Sequence, residues 1–248
     1  MIPNITLSIQ PDFSNLTGRL ELEIPLIGFY DAPDVKLFEP VIEPGRKGHN
    51  CVFSFYEYWL DGVTLHLTKQ KYGCGGAGHW ICGIEGRSRE QYLDFLVNTE
   101  GLKASFEIMG KWLDNARPYR QEHKNIMIGP LKPSQYAYLK TVTFFVDPDQ
   151  LSALAIGAEY NASPEDPPAV NAPFGSGCSQ LIGLFKDITT PSAIIGMTDI
   201  AARKHIPSNL LAFTVTRSMF EQLCNLDERS YLFKSFWQEL KLKRNKKA

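Results

Sequence analysis

Polar and apolar positions alternate along Leu20-Glu-Leu-Glu-Ile24, a period of two that predicts a strand with one wet face. Val35-Lys-Leu-Phe38 predicts a second short strand, and Glu43 to Asn50 has the composition of a loop. Cys51 to Leu60 is rich in aromatic residues and reads as a helix, because Gly62 ends it and a cleaner strand, Val63-Thr-Leu-His-Leu67, follows. Ser88 with Gln91 three residues on is a capping box that opens a helix whose apolar face is Tyr92, Leu93, Phe95 and Leu96. A further helix is expected from Ser105 to Leu113, and a polar loop from Asn115 to Lys124.

The second half is more clearly punctuated. Thr141-Val-Thr-Phe-Phe-Val146 is β-branched and aromatic, which suits a strand. Asp147-Pro148 then starts a helix, with Asp as the cap and Pro in the first turn, running to about Tyr160. Asn161 to Pro173 is proline-rich loop, and Phe174 to Gly183 reads as a glycine turn entering a helix. Ala193-Ile-Ile195 and Leu210 to Val215 predict strands, Thr216 caps a helix to about Leu226, and a last helix covers Tyr231 to Leu240. Strands and helices mix without strict alternation, so the expected fold is α+β, a mixed sheet with surrounding helices in one compact unit over residues 1–248. Each half carries a strand, a glycine-flanked cysteine and a capped helix, a faint internal duplication.

Composition adds boundaries to this picture. The 248 residues suffice for a sizeable core, and 44% hydrophobic with 21% charged residues is ordinary for a globular chain. A formal charge of −1 offers no field to attract nucleic acid or acidic membranes, so neither is an expected partner. No apolar run approaches a membrane span. Met1-Ile-Pro-Asn-Ile-Thr6 lacks a basic segment followed by an apolar one, so no leader is expected and the cytoplasm is the expected compartment. The basic tail, 241–248, suits the C-terminus of a solvated helix. Five cysteines, an odd number in a chain this long, predict reduced thiols rather than a disulfide framework.

The strongest local signal is Gly73-Cys74-Gly75-Gly76-Ala77-Gly78, with His79 beside it. Glycine at this density marks a tight backbone or one closely approached, and a helix start nearby offers N–H donors. It is neither a P-loop nor a dinucleotide fingerprint. His79 suits a metal ligand or a base, and a solvated histidine equally. Gly177-Cys178 repeats the setting, and Cys51, Cys74, Cys82 and Cys178 together raise a metal or an iron–sulfur cluster, although Cys74-x7-Cys82 is not a standard metal pair. Arg203, after the strand ending at Ile195, suits a fork onto a small-molecule anion or a surface pair with Asp199.

At these residues the chain resembles the uncharacterised ArCR-type family of prokaryotic proteins. The resemblance covers about Asp34 to Leu223. It is carried by Val35 to Phe38, Cys51 opening an aromatic helix, Cys74-Gly-Gly, Gly129-Pro-Leu131, Val142 to Gln150, Gly177-Cys178, and Gly196 through Arg203 to Leu211-Ala-Phe-Thr-Val215. Val215-Thr216 stands where the family commonly has Ile-Pro. The family has no established activity, so the resemblance implies a common site at the cysteine positions without naming its chemistry.

Three functions follow from these readings. One is a ligand- or cofactor-binding protein with a site at Cys74, Gly75, Gly76, His79, Gly177, Cys178 and Arg203. Another is an enzyme with a cysteine nucleophile acting on an anionic substrate. The third is a structural or interaction protein with core cysteines.

Overall fold

The computed structural model describes residues 11–45, 51–74, 82, 84, 88–115, 119–172, 189–196 and 199–245. Its frame is an eight-stranded mixed sheet, so the fold is α+β. The strands are β1 (Ile27–Ala32), β2 (Val41–Ile42), β3 (Thr64–Leu67), β4 (Asn125–Pro130), β5 (Leu139–Val146), β6 (Val170–Asn171), β7 (Ala193–Ile195) and β8 (Leu211–Thr216). They lie in the order β2-β3-β4-β1-β5-β8-β7-β6.

That order contains the duplication in a form the residues barely show. From the centre outward, β1 pairs antiparallel with β4, β4 antiparallel with β3, and β3 parallel with β2. On the other side β5 pairs antiparallel with β8, β8 antiparallel with β7, and β7 parallel with β6. The two four-strand units join through antiparallel β1 and β5, with Gly28 opposite Val142.

Every residue of β1 is buried, as are all but the first or second of β4, β5 and β8. Alternating side chains feed two separate cores. Ile27, Phe29, Leu65, Leu67, Ile126, Ile128, Phe145 and Ala212 pack with Val52, Phe53 and Trp59. Tyr30, Met127, Val142, Phe144, Val146, Phe213 and Val215 pack with helical residues on the other side. Those helices are α1 (Ser14–Leu20), α5 (Pro148–Ala158), α7 (Arg217–Cys224) and α8 (Ser235–Asn245). A strand covered on both faces loses the period-two pattern. This is why β1 and β4 carry no alternation.

Several starts stand where the sequence places them. Asp147 and Ser88 cap helices with complete capping boxes to Gln150 and Gln91, and Thr216 accepts from the Met219 N–H. The aromatic segment is a 3-10 turn, Val52–Phe55, running into α2 (Tyr56–Leu60). Helix α3 (Arg89–Asp94) continues as a π-helical turn, Phe95–Thr99, before α4 (Phe106–Asn115).

Two expected strands are not strands. Leu20 ends α1, which Leu16 and Leu20 bury four residues apart, and Glu21 caps it in the left-handed conformation at φ 53°. The four-residue spacing across 16–20 outweighs the alternation that begins at Leu20. Val35–Phe38 is a 3-10 turn, because the Asp34 carboxylate accepts from the Lys36 N–H and folds the chain locally.

Candidate functional site

The aromatic segment anchors one side of the site. Phe53 meets the Phe145 ring edge-on at 6.2 Å, Tyr56 does so at 5.3 Å, and Trp59 stacks on it at 6.1 Å. This fastens the segment to the middle of the sheet and sets Cys51, at its start, against the same core that holds Cys74 and Cys82. The Cys51 carbonyl accepts from the Ser54 hydroxyl at 2.7 Å, which fixes the turn. Cys74 and Cys82 are both buried.

Two carboxylates join these thiols. Glu100 ends the π turn, its N–H donating to the Phe95 carbonyl at 3.0 Å. A π turn is a rare, wide form that recurs at functional sites. The Glu100 Oε2 atom is buried and has no hydrogen-bond partner. Asp199 is buried too, and caps the short helix α6 (Ile200–Arg203) by accepting from the Ala201 N–H at 2.9 Å. The next turn inserts Ala202 into the cysteine-bearing core.

Charges within this set act on Cys51, Cys82 and Glu100. Burial pushes the Cys51 thiol up to about 12, with Cys74, Asp199 and Glu100 adding to the rise. Burial raises Cys82 well above an ordinary thiol, and Cys74 contributes. Burial likewise lifts Glu100 to about 7, assisted by the charges of Asp199 and Cys74. Thiols at these values hold little thiolate at neutral pH, so Cys51 and Cys82 are not activated nucleophiles.

The other sequence-predicted residues divide. Gly75, Gly76, His79, Gly177 and Cys178 lie outside the described residues. Arg203 is placed on the segment that carries Asp199, but its guanidinium does not reach toward an open site. It donates to the carbonyls of Leu210 and Ser208, the latter at 2.7 Å. The arms that a bidentate anion contact would use are engaged by backbone. Cys51, Cys74, Cys82 and Cys224 are free thiols. In the tail, Lys241 pairs with Glu21 at 2.8 Å and Arg244 with Asp149 at 2.6 Å.

Glu100 had no signal of its own in the sequence, where it stands in a polar helix end before Gly101. Asp199 was visible only as a partner for Arg203. Their approach to the cysteines depends on long-range packing.

Among the described residues, the group whose metal-ligand atoms come within 4.8 Å of one another lies elsewhere, at Asp31, Glu122 and His123. Asp31 is buried at the end of β1 and already accepts from the Tyr119 hydroxyl at 2.8 Å and from the N–H groups of Glu122 and His123. Glu122 is exposed and paired with Lys140 at 2.6 Å. Those partners make the group a loop fastening. No helix among the described residues is long and apolar enough to cross a membrane.

Comparison with known proteins returns one family, described as Uncharacterised ArCR, whose model matches residues 19–225. No curated protein matches the chain, and no solved structure does.

Proposed function

The chain belongs to the Uncharacterised ArCR family, whose function is unknown, and from the chain's own site we propose that it is a cofactor-binding protein holding an iron–sulfur cluster or a thiophilic metal at its cysteine–carboxylate face. One observation carries this reading. Cys51, Cys74, Cys82, Glu100 and Asp199 come from separate segments, and Cys51, Cys82 and Glu100 are raised in part by charges within this set, with a buried Glu100 oxygen left without a partner. Groups that repel one another when charged suit an occupant that brings positive charge.

The donor set favours a cluster over a single ion. Three cysteines packed against one core are the ligand type that a polynuclear iron–sulfur core takes. Cys51, Cys74 and Cys82 would hold it as thiolates, and Cys178 is the sequence's fourth thiol for the set. Glu100 and Asp199 would stand beside it, tuning charge. Iron binding deprotonates thiols outright, which offsets the burial that keeps Cys51 and Cys82 neutral.

Iron and sulfide content with visible absorption, on protein purified and reconstituted without oxygen, tests the reading. Stoichiometric iron is expected, with loss in the Cys51→Ser, Cys74→Ser double variant. Wild-type protein that stays colourless and metal-free would overturn it. The same would follow from a double variant that loads as the wild type does.

A second reading has its own support: Cys82 is fully buried, as core cysteines are. A metal-free protein whose thiols stay inert until it unfolds is its signature.

A further inference from the structure

A cavity of about 300 Å³ opens between the end of α1, the start of α5, the approach to β8 and the C-terminal helix α8. That is room for about ten water-sized groups, the lower end of the range for small-molecule sites. Its apolar lining includes Ile24, Phe145, Leu210 and Leu240. Its polar lining is Glu21, Glu23, Asp147, Asp149, Gln150, Asn209, Lys241 and Arg244.

The charges at this mouth do not cancel. Arg244 grips Asp149 with two bonds, at 2.6 and 2.9 Å. Lys241 is committed to Glu21 at 2.8 Å. Both cations are thereby spent. Glu23 makes no ion pair among the described residues. Asp147 makes none either: Arg244 feels its charge only at longer range, and its Oδ1 accepts from the Gln150 N–H at 2.8 Å. The lining carries four carboxylates against two cations, beside an apolar floor.

We propose that this cavity binds a small organic amine, its ammonium at Glu23 and Asp147 and its apolar body against Ile24 and Leu210. An anion is disfavoured because both cations are already paired with carboxylates and the lining carries a net negative charge. A bare metal ion is disfavoured because no three of these acidic groups bring ligand atoms within 4.8 Å among the described residues. An extended organic cation needs no such convergence. Charge-assisted N–H bonds hold its head, and the apolar lining at Ile24 and Leu210 takes its body. Arg203 builds one wall: its two carbonyl partners, Ser208 and Leu210, bracket the lining residue Asn209.

Phenethylamine titrated calorimetrically into the full-length chain tests this, with phenylacetate as the oppositely charged probe of similar shape. Saturable binding of the amine is expected, weakened by added salt, with no binding of the acid. Glu23→Gln, at an exposed position that makes no ion pair in the described structure, should weaken the amine about tenfold. Cys74→Ser should leave it unchanged, because Cys74 does not line this cavity, so the result stands apart from the fate of the cofactor reading. The proposal fails if the amine does not saturate by about 10 mM, the weak limit for a real site. It fails equally if phenylacetate binds as well, or if Glu23→Gln binds like wild type.

Discussion

Arg203 donates one arm of its guanidinium to the carbonyl of Leu210 and another to that of Ser208, so it closes the turn that leads from α6 into β8. Its fork geometry is what spans two carbonyls at once. Arg203→Ala removes both bonds at a partly buried position and should lower unfolding stability by about 1–3 kcal/mol. Arg203→Lys should recover less than half of that, since an ammonium cannot fork. Urea denaturation of the three proteins checks it. A loss confined to ligand affinity, with stability unchanged, would return Arg203 to the anion-binding role.

Glu100 sets a pH dependence whose sign can be worked out. Its folded pKa stands at about 7, above the 4.5 of the unfolded chain, through burial first and then Asp199 and Cys74. The unfolded carboxyl therefore releases its proton first as pH rises. The contribution of Glu100 is fully present below pH 4.5 and is lost as pH climbs through about 7. In metal-free protein, stability measured from pH 5 to 8 should fall less steeply in Glu100→Gln than in wild type. Parallel curves would show that Glu100 is not strained by its surroundings.

Asp31 should prove the costliest single carboxylate to remove. Its buried oxygens hold the Tyr119 hydroxyl and two backbone N–H groups from the chain entering β4. Asp31→Ala leaves three donors unpaired, a loss of about 3–5 kcal/mol by chemical denaturation. Zinc or manganese should not raise the melting temperature of the wild type through this group, because its carboxylate is already engaged.

Gly28 and Gly129 face each other across β1 and β4. A Cβ on Gly129 would lie 2.8 Å from the Thr64 Cα, and one on Gly28 would lie 2.4 Å from the Tyr30 ring. Backbone cannot give way as a flexible side chain can. Gly129→Ala should therefore cost about 1–3 kcal/mol, as overpacking does in cores, with a lowered melting temperature and retained far-ultraviolet dichroism.

The thiols should separate by reactivity. Burial lifts Cys51 and Cys224 to about 12 and raises Cys82 well above an ordinary thiol, so all three should react slowly with a disulfide reagent in native protein at pH 8. Denatured, unreduced protein should yield all five thiols. Fewer, restored by reductant, would reveal a disulfide.

Local chemistry was legible in the sequence. Ser88, Asp147 and Thr216 start helices where their side chains can satisfy the first free N–H groups, a matter settled within four residues. Thr141 to Val146 declares itself as a strand by β-branched and aromatic content alone. The mixed α+β class followed from the same short-range signals. Tertiary structure decided the rest. β1 and β4 are apolar on both faces because the sheet is covered on both sides, and no period marks such strands. The internal repeat shows in strand order and sense, which pairing over more than a hundred residues creates and which the glycine-flanked Cys74 and Cys178 could only hint at. Glu100 and Asp199 stand 99 positions apart in the chain, and their charges meet only because the π turn and α6 pack against one core. A carboxylate's neighbours, unlike its helix-capping habit, are chosen by the whole fold.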